Sequence, residues 1–207
     1  NFHMRVIEIQ AKGGFPSLVL DAKKEFATTY GLTSQYWQYF DPGDRPDVLS
    51  YLKSNLIDLA NHYHACYQDP QQKEKKQANF AEALNWYREF LASFPTETEA
   101  PNIHYQLADL LLENSSFGAA AVEFEKTAYD YPSHEKSSQA GYIAVSAYRE
   151  QLAVVSQEDK DPVRGEVVRS SLQFADTFPE HEKAAIVLGA AADDLYGMEE
   201  YEQSLSA

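Results

Sequence analysis

Apolar positions recur along this chain at three- and four-residue intervals, in stretches that close on an aromatic residue and a helix breaker. "KEFATTYG" (Lys24–Gly31), "REFLASFP" (Arg88–Pro95), "EKTAYDYP" (Glu125–Pro132) and "LQFADTFP" (Leu172–Pro179) share this layout. Tyr30, Phe94, Tyr131 and Phe178 stand directly before the breaker, and Phe26, Phe90 and Phe174 stand four residues earlier, where Thr127 departs. Rings at i and i+4 share one helical face. Proline has no donor and clashes with the preceding turn, so each octamer reads as the end of a helix. The pattern predicts helices near residues 16–30, 47–68, 78–94, 99–114, 116–131, 135–155, 162–178 and 181–196.

The breakers set a period. Pro95 to Pro132 is 37 residues, Pro132 to Pro179 is 47, and Gly31 to Pro95 is 64. Nine residues after each proline the same face begins: His104, Leu107, Ala108, Leu111; Gly141, Ala144, Val145, Tyr148; Leu188, Ala191, Ala192, Leu195. Its small residues mark places where another helix must come close. Twelve residues before each proline stands Ala83, Ala120 or Val167, again small. Ser171 falls where the register expects a large apolar side chain.

The longer intervals contain polar inserts. "QDPQQKEKKQ" (Gln68–Gln77) and "SQEDKDP" (Ser156–Pro162) read as exposed loops. "TSQYWQYFDPGDRPD" (Thr33–Asp47) gathers Tyr36, Trp37, Tyr39 and Phe40, a group expected to pack on neighbouring helices. The first four residues, "NFHM", resemble a vector remnant, and "RVIEIQAKGGF" has no apolar signal core. The last residues, "EEYEQSLSA", start a helix that runs out, so the chain reads as a fragment of a longer protein.

Composition narrows the class. Hydrophobic residues make up 44% of 207, enough for a core, and nine Gly with nine Pro are too few for a many-turned β protein. No run of eighteen apolar residues is present, so no membrane span is expected. A formal charge of −15 argues against nucleic acid as a partner. One cysteine, Cys66, excludes an internal disulfide framework.

The order of a large residue, Leu, a small residue and an aromatic on one helix, then Ala and a terminal proline on the next, resembles the tetratricopeptide repeat. Leu56, Leu59, Ala60, Tyr63, Ala83, Tyr87 and Pro95 carry it first, then Leu107, Ala108, Ala120, Phe124 and Pro132. The resemblance spans about Asp47 to Ala207 and divides the chain into 5–46 (a helix of a preceding repeat plus the aromatic loop), 47–95, 96–132, 133–179 and a truncated 180–207. It implies an all-α fold: a right-handed α-solenoid of helix pairs, each burying the apolar side of the next. The aromatic–proline endings are similar to divergent repeats of bacterial cell-envelope proteins, which implies a periplasmic or envelope location.

In this family the first helices of the pairs line a concave groove that receives a peptide or helix of a partner. Its reading positions fall here on Ile57, Asn61 and His64; on Tyr105, Asp109, Leu112 and Glu113; and on Tyr142, Ser146 and Arg149. Only Asn61 and Arg149 match the set that clamps a C-terminal carboxylate, so that specificity is not carried over. Tyr105 and Tyr142 beside the acids imply an aromatic, partly acidic groove suited to apolar or basic segments. Packing between repeats is the competing role for each tyrosine.

Candidate chemistry is sparse. "HYHAC" (His62–Cys66) has metal-ligand residue types, but His64 points away from the His62–Cys66 pair and no second cluster completes four ligands. Asp193-Asp194 and Glu199-Glu200 are adjacent pairs that diverge by about 100° on a helix. Gly13-Gly14 lacks the Lys-Ser/Thr of a phosphate loop. Cys66 has no convincing base in the sequence pattern, which leaves open histidines remote in sequence. The chain is therefore expected to be a non-catalytic binding scaffold without metal or cofactor. An architectural spacer and the helical shell of an enzyme whose catalytic part lies elsewhere are the alternatives. Self-association through the C-terminal stretch, by Tyr196, Met198, Tyr201 and Leu205, is also expected.

Overall fold

Pro16 and Pro46 occupy the first turn of their helices, where a missing N–H leaves no hydrogen bond unmade. They open two members of an all-α chain. A computed structural model describes residues 2–198. Its helices are α1 (Phe2–Lys12), α2 (Pro16–Tyr30), α3 (Pro46–Gln68), α4 (Lys76–Ser93), α5 (Ala100–Glu113), α6 (Phe117–Tyr129), α7 (Ser137–Val154), α8 (Lys160–Thr177) and α9 (Ala184–Gly197). Short 3-10 turns lie at Gln35–Gln38, Pro42–Asp44, Pro70–Lys75 and Gln157–Asp159, and no strand occurs among the described residues. The third and fourth of these turns sit in the stretches expected as exposed loops, and the first and second in the aromatic loop. Helices α2 to α9 begin and end within about three residues of the bounds expected from periodicity.

The N-terminal helix α1 was not expected. Phe2 and His3 lie within it. His3 Nδ1 meets the Tyr30 hydroxyl at 2.9 Å, and Ile7 is buried. At 11 residues α1 is too short to be stable alone, so its packing on α2 holds it, and no strong periodic signal announces it. Gly13-Gly14 is its C-cap. The Phe15 N–H donates to the Gln10 carbonyl and the Gly14 N–H to Ala11, with Gly14 at φ +74°, a Schellman ending. Ser115 closes α5 the same way at φ 58°, a conformation that strains a residue with a Cβ.

The chain forms two compact units, Asn1–Ile103 and His104–Ala207. In the first, α1 packs on α2, α2 on α3 and α3 on α4; in the second, α6 packs on α7, α7 on α8 and α8 on α9. Each of these helices thus buries its apolar side against a neighbour in sequence. The small residues of the register, Ala83, Ala108, Ala120, Ala144, Val167 and Ala191, are fully buried. So are Phe26, Phe90, Phe124 and Phe174, each contributing roughly 2–3 kcal/mol by leaving water. Thr127, the departure from the ring pattern, is also buried and donates its hydroxyl to the Glu123 carbonyl at 3.1 Å. Ser171 is buried with its hydroxyl unpartnered, which fits its poor match to the register.

The prolines lead into one repeated corner. Two residues after Pro95, Pro132 and Pro179, the carbonyls of Glu97, His134 and His181 accept from the N–H groups of Ala100, Ser137 and Ala184. In the last two corners the sequence is Pro-x-His-Glu-Lys. There the histidine Nδ1 accepts from the backbone N–H of Lys136 (3.3 Å) or Lys183 (3.2 Å). This satisfies a donor at the start of the next helix. His134 Nε2 donates to the Thr127 carbonyl at 3.0 Å, tying the corner to α6. Equivalent lysines and histidines thus arise from corner geometry.

The aromatic loop is only partly packed. Tyr36 meets Tyr30 edge-on with ring centres 4.8 Å apart, and Trp37 Nε1 donates to the Tyr30 carbonyl at 2.9 Å. Tyr39 and Phe40 are exposed, contrary to the expectation that the whole group packs on helices. Phe40 instead stacks on Tyr36, and the Arg45 guanidinium lies over both rings. That cover on a short turn replaces a helical neighbour.

Candidate partner-binding face

On α3, helical spacing presents Ile57, Asn61 and His64 to one broad side, but their side chains have different fates. Ile57 is half-buried and Asn61 exposed, whereas His64 is buried at 9% exposure. The Tyr87 hydroxyl of α4 donates to Asn61 Oδ1 at 3.1 Å and lies 3.0 Å from His64 Nδ1. A phenol has one proton, so Tyr87 must accept from His64 Nδ1–H. His64 Nε2 is left to accept from Gln68 Nε2 at 3.4 Å, the tautomer following from the network. Asn61 and His64 are engaged in joining α3 to α4. His64, a groove position by sequence, is a buried link between the two helices.

His62 and Cys66 lie on another side of α3, with Sγ 3.6 Å from Nε2, and His64 is turned away from them. No group of three or more His, Cys, Asp or Glu residues able to hold a metal converges among the described residues. No described helix is long and apolar enough to cross a membrane.

In the second unit the expected positions separate again. Leu112 packs against the buried cluster of Ala121, Ala147, Tyr148 and Val167. Tyr142 is half-buried against Val145, Phe174, Ala184 and Val187, and its ring stacks on His181 at 5.9 Å. Ser146 Oγ donates to the Tyr142 carbonyl at 3.2 Å, a bond within its own helix. Arg149 Nη2 donates to Asp194 Oδ2 at 3.0 Å, linking α7 to α9. Packing thus takes up Leu112, Tyr142 and Arg149, which the groove positions had assigned to a ligand.

Tyr105, Asp109 and Glu113 remain on one line of α5 at i, i+4 and i+8. The Tyr105 ring meets Phe124 edge-on at 5.3 Å, and Lys136 Nζ stands 4.5 Å from its centre. Lys136, which the groove positions omit, arrives because the Pro-x-His-Glu-Lys corner precedes α7. Its place in that repeated pentapeptide was the available sequence signal.

Asp109 is half-buried, and its carboxylate accepts no hydrogen bond from a described residue. Burial raises its pKa to about 6; Glu113 adds to the rise and Lys136 opposes it. Burial and Asp109 in turn raise the Tyr105 hydroxyl. By contrast, Glu123 on α6 is held below the usual carboxylate range despite desolvation, because His104 and Lys126 bond to it. The fold therefore supplies two donors to one half-buried acid and none, among the described residues, to the other.

No family model matches the chain, and no match was found among curated proteins. The fold defines an all-α chain whose helices pack on their neighbours in sequence.

Proposed function

We propose that this chain is a non-catalytic scaffold of tetratricopeptide type. Its helix pairs would continue as a right-handed α-solenoid whose first helices line a groove for a peptide or helix of a protein partner. The consecutive-helix packing, the repeated corners and the buried small residues support this arrangement. The partner segment carries a basic residue next to an apolar one.

One observation carries the reading: Asp109 is desolvated without a hydrogen-bond donor, beside the half-buried ring of Tyr105. Such a carboxylate costs stability in the free protein, and an incoming ammonium or guanidinium offsets that cost in the complex. The aromatic ring supplies a surface for the apolar neighbour. Lys136 tunes the charge of the face without closing it.

Panning a random peptide library against the chain tests the proposal. Enriched peptides should pair Lys or Arg with an apolar residue, and Asp109→Asn and Tyr105→Ala should each weaken binding by about tenfold or more. Arg164→Gln, on α8, should leave binding unchanged. Enrichment of acidic peptides, or binding indifferent to both α5 substitutions, would remove the basis for the reading.

A further inference from the structure

The first and last described helices carry matching outer stripes. On α1, Phe2, Arg5, Ile9 and Lys12 are all exposed; on α9, Ile186, Gly189, Asp193 and Tyr196 are all exposed. Both sets run at i, i+3, i+7 and i+10, one face of a helix. At 100° per residue each stripe lies about 180° from its helix's buried side, which is Ile7 on α1 and Val187, Ala191 and Leu195 on α9. Phe2 is 79% exposed, Ile9 68%, Ile186 67% and Tyr196 66%, so large apolar side chains on both helices are mostly accessible.

We infer that copies of this chain associate head to tail, α1 of one copy lying antiparallel on α9 of the next. Reversing one stripe against the other sets Phe2 opposite Tyr196, Arg5 opposite Asp193, Ile9 opposite Gly189 and Lys12 opposite Ile186. Both helices rise about 1.5 Å per residue, so the four pairs stay in step. Two rings meet, one ion pair forms, and a branched side chain faces a notch. A Cβ placed on Gly189 meets nothing within 4 Å, so the notch is open. The Lys12 stem covers Ile186 while its ammonium reaches solvent.

Charge selects this pairing over others. Arg5, Lys12 and Asp193 make no ion pair with a described residue. Ten of the 17 basic residues and thirteen of the 32 acidic ones lie in residues 1–103, so that part carries −3 and the remainder −12. Contact between two copies of the acidic part is repelled, and contact between α1 and α9 joins the least acidic region of one copy to the acidic end of another. The association uses faces separate from Tyr105 and Asp109, so it stands apart from the partner-binding proposal.

Sedimentation velocity from micromolar to near-millimolar concentration tests it, with circular dichroism to verify folding of each variant. The parent should sediment faster as concentration rises. Arg5→Asp and Asp193→Arg, both at exposed positions, should each weaken association by about tenfold. The double variant Arg5→Asp/Asp193→Arg should regain it, as should an equimolar mixture of the two single variants. A parent that stays monomeric throughout overturns the inference. So does association indifferent to either single change, or a loss that the double variant fails to recover.

Discussion

A methyl group on Gly141 would stand 2.9 Å from the Tyr129 hydroxyl oxygen and 3.1 Å from the rings of Phe174 and Phe178. Three helices and the corner after α8 therefore meet at one residue without a side chain. In an open helix Gly→Ala stabilises by about 1 kcal/mol. Here Gly141→Ala should destabilise instead, and Gly141→Val should destabilise by several kcal/mol, about 3 or more, because the rings around it are packed. Chemical denaturation of the two variants measures both.

The half-buried Asp109 makes a pH prediction. Its folded pKa, about 6, lies above the ordinary aspartate value of 3.8, so the folded state binds the proton more tightly than the unfolded one. Ionised Asp109 therefore costs stability, most fully above pH 6, and the cost fades as pH falls through 6 toward 4. Allowing for its partial exposure, Asp109→Asn should stabilise by about 1 kcal/mol at pH 8 and by almost nothing near pH 4. A variant that is more stable but binds peptide worse is the expected signature of a functional acid.

Ser171 is buried with an unpartnered hydroxyl. Ser171→Ala removes an oxygen that has lost its water without gaining a donor or acceptor. The variant should be more stable by about 1 kcal/mol, read from its urea midpoint.

His134 holds a corner through both ring nitrogens, accepting at Nδ1 and donating at Nε2. Nitrogen-detected NMR should find the Nε2–H tautomer. His134→Ala should cost about 1–2 kcal/mol, and His134→Asn should recover part of this, since Asn can also accept from the second residue onward.

Periodicity was enough to place helices α2 to α9, because the side of a helix that meets another must be apolar or small. Ala108, Ala144 and Ala191 were assigned to close approaches on that ground, and each is fully buried. The pattern could not show which polar groups pair across helices. His64 and Arg149 look like free reading residues until Tyr87 and Asp194 come up beside them. The density of aromatics at Tyr36–Phe40 points to packing of the whole group, but the short turn at Gln35–Gln38 leaves Tyr39 and Phe40 exposed. Within the candidate face, Tyr105 and Asp109 were legible as positions. Lys136 was not, since it arrives from a corner and not from the helix. The expected contacts of Tyr201 and Leu205 lie outside the described residues.

Within each unit, the packing of helices adjacent in sequence also governs how the chain acquires its structure. Within either unit the main contacts join segments separated by a single short connection, so contact order is low and little loop entropy is spent before packing begins. Folding of each unit is accordingly expected to be rapid. During synthesis the first helices can settle together before the last have left the ribosome.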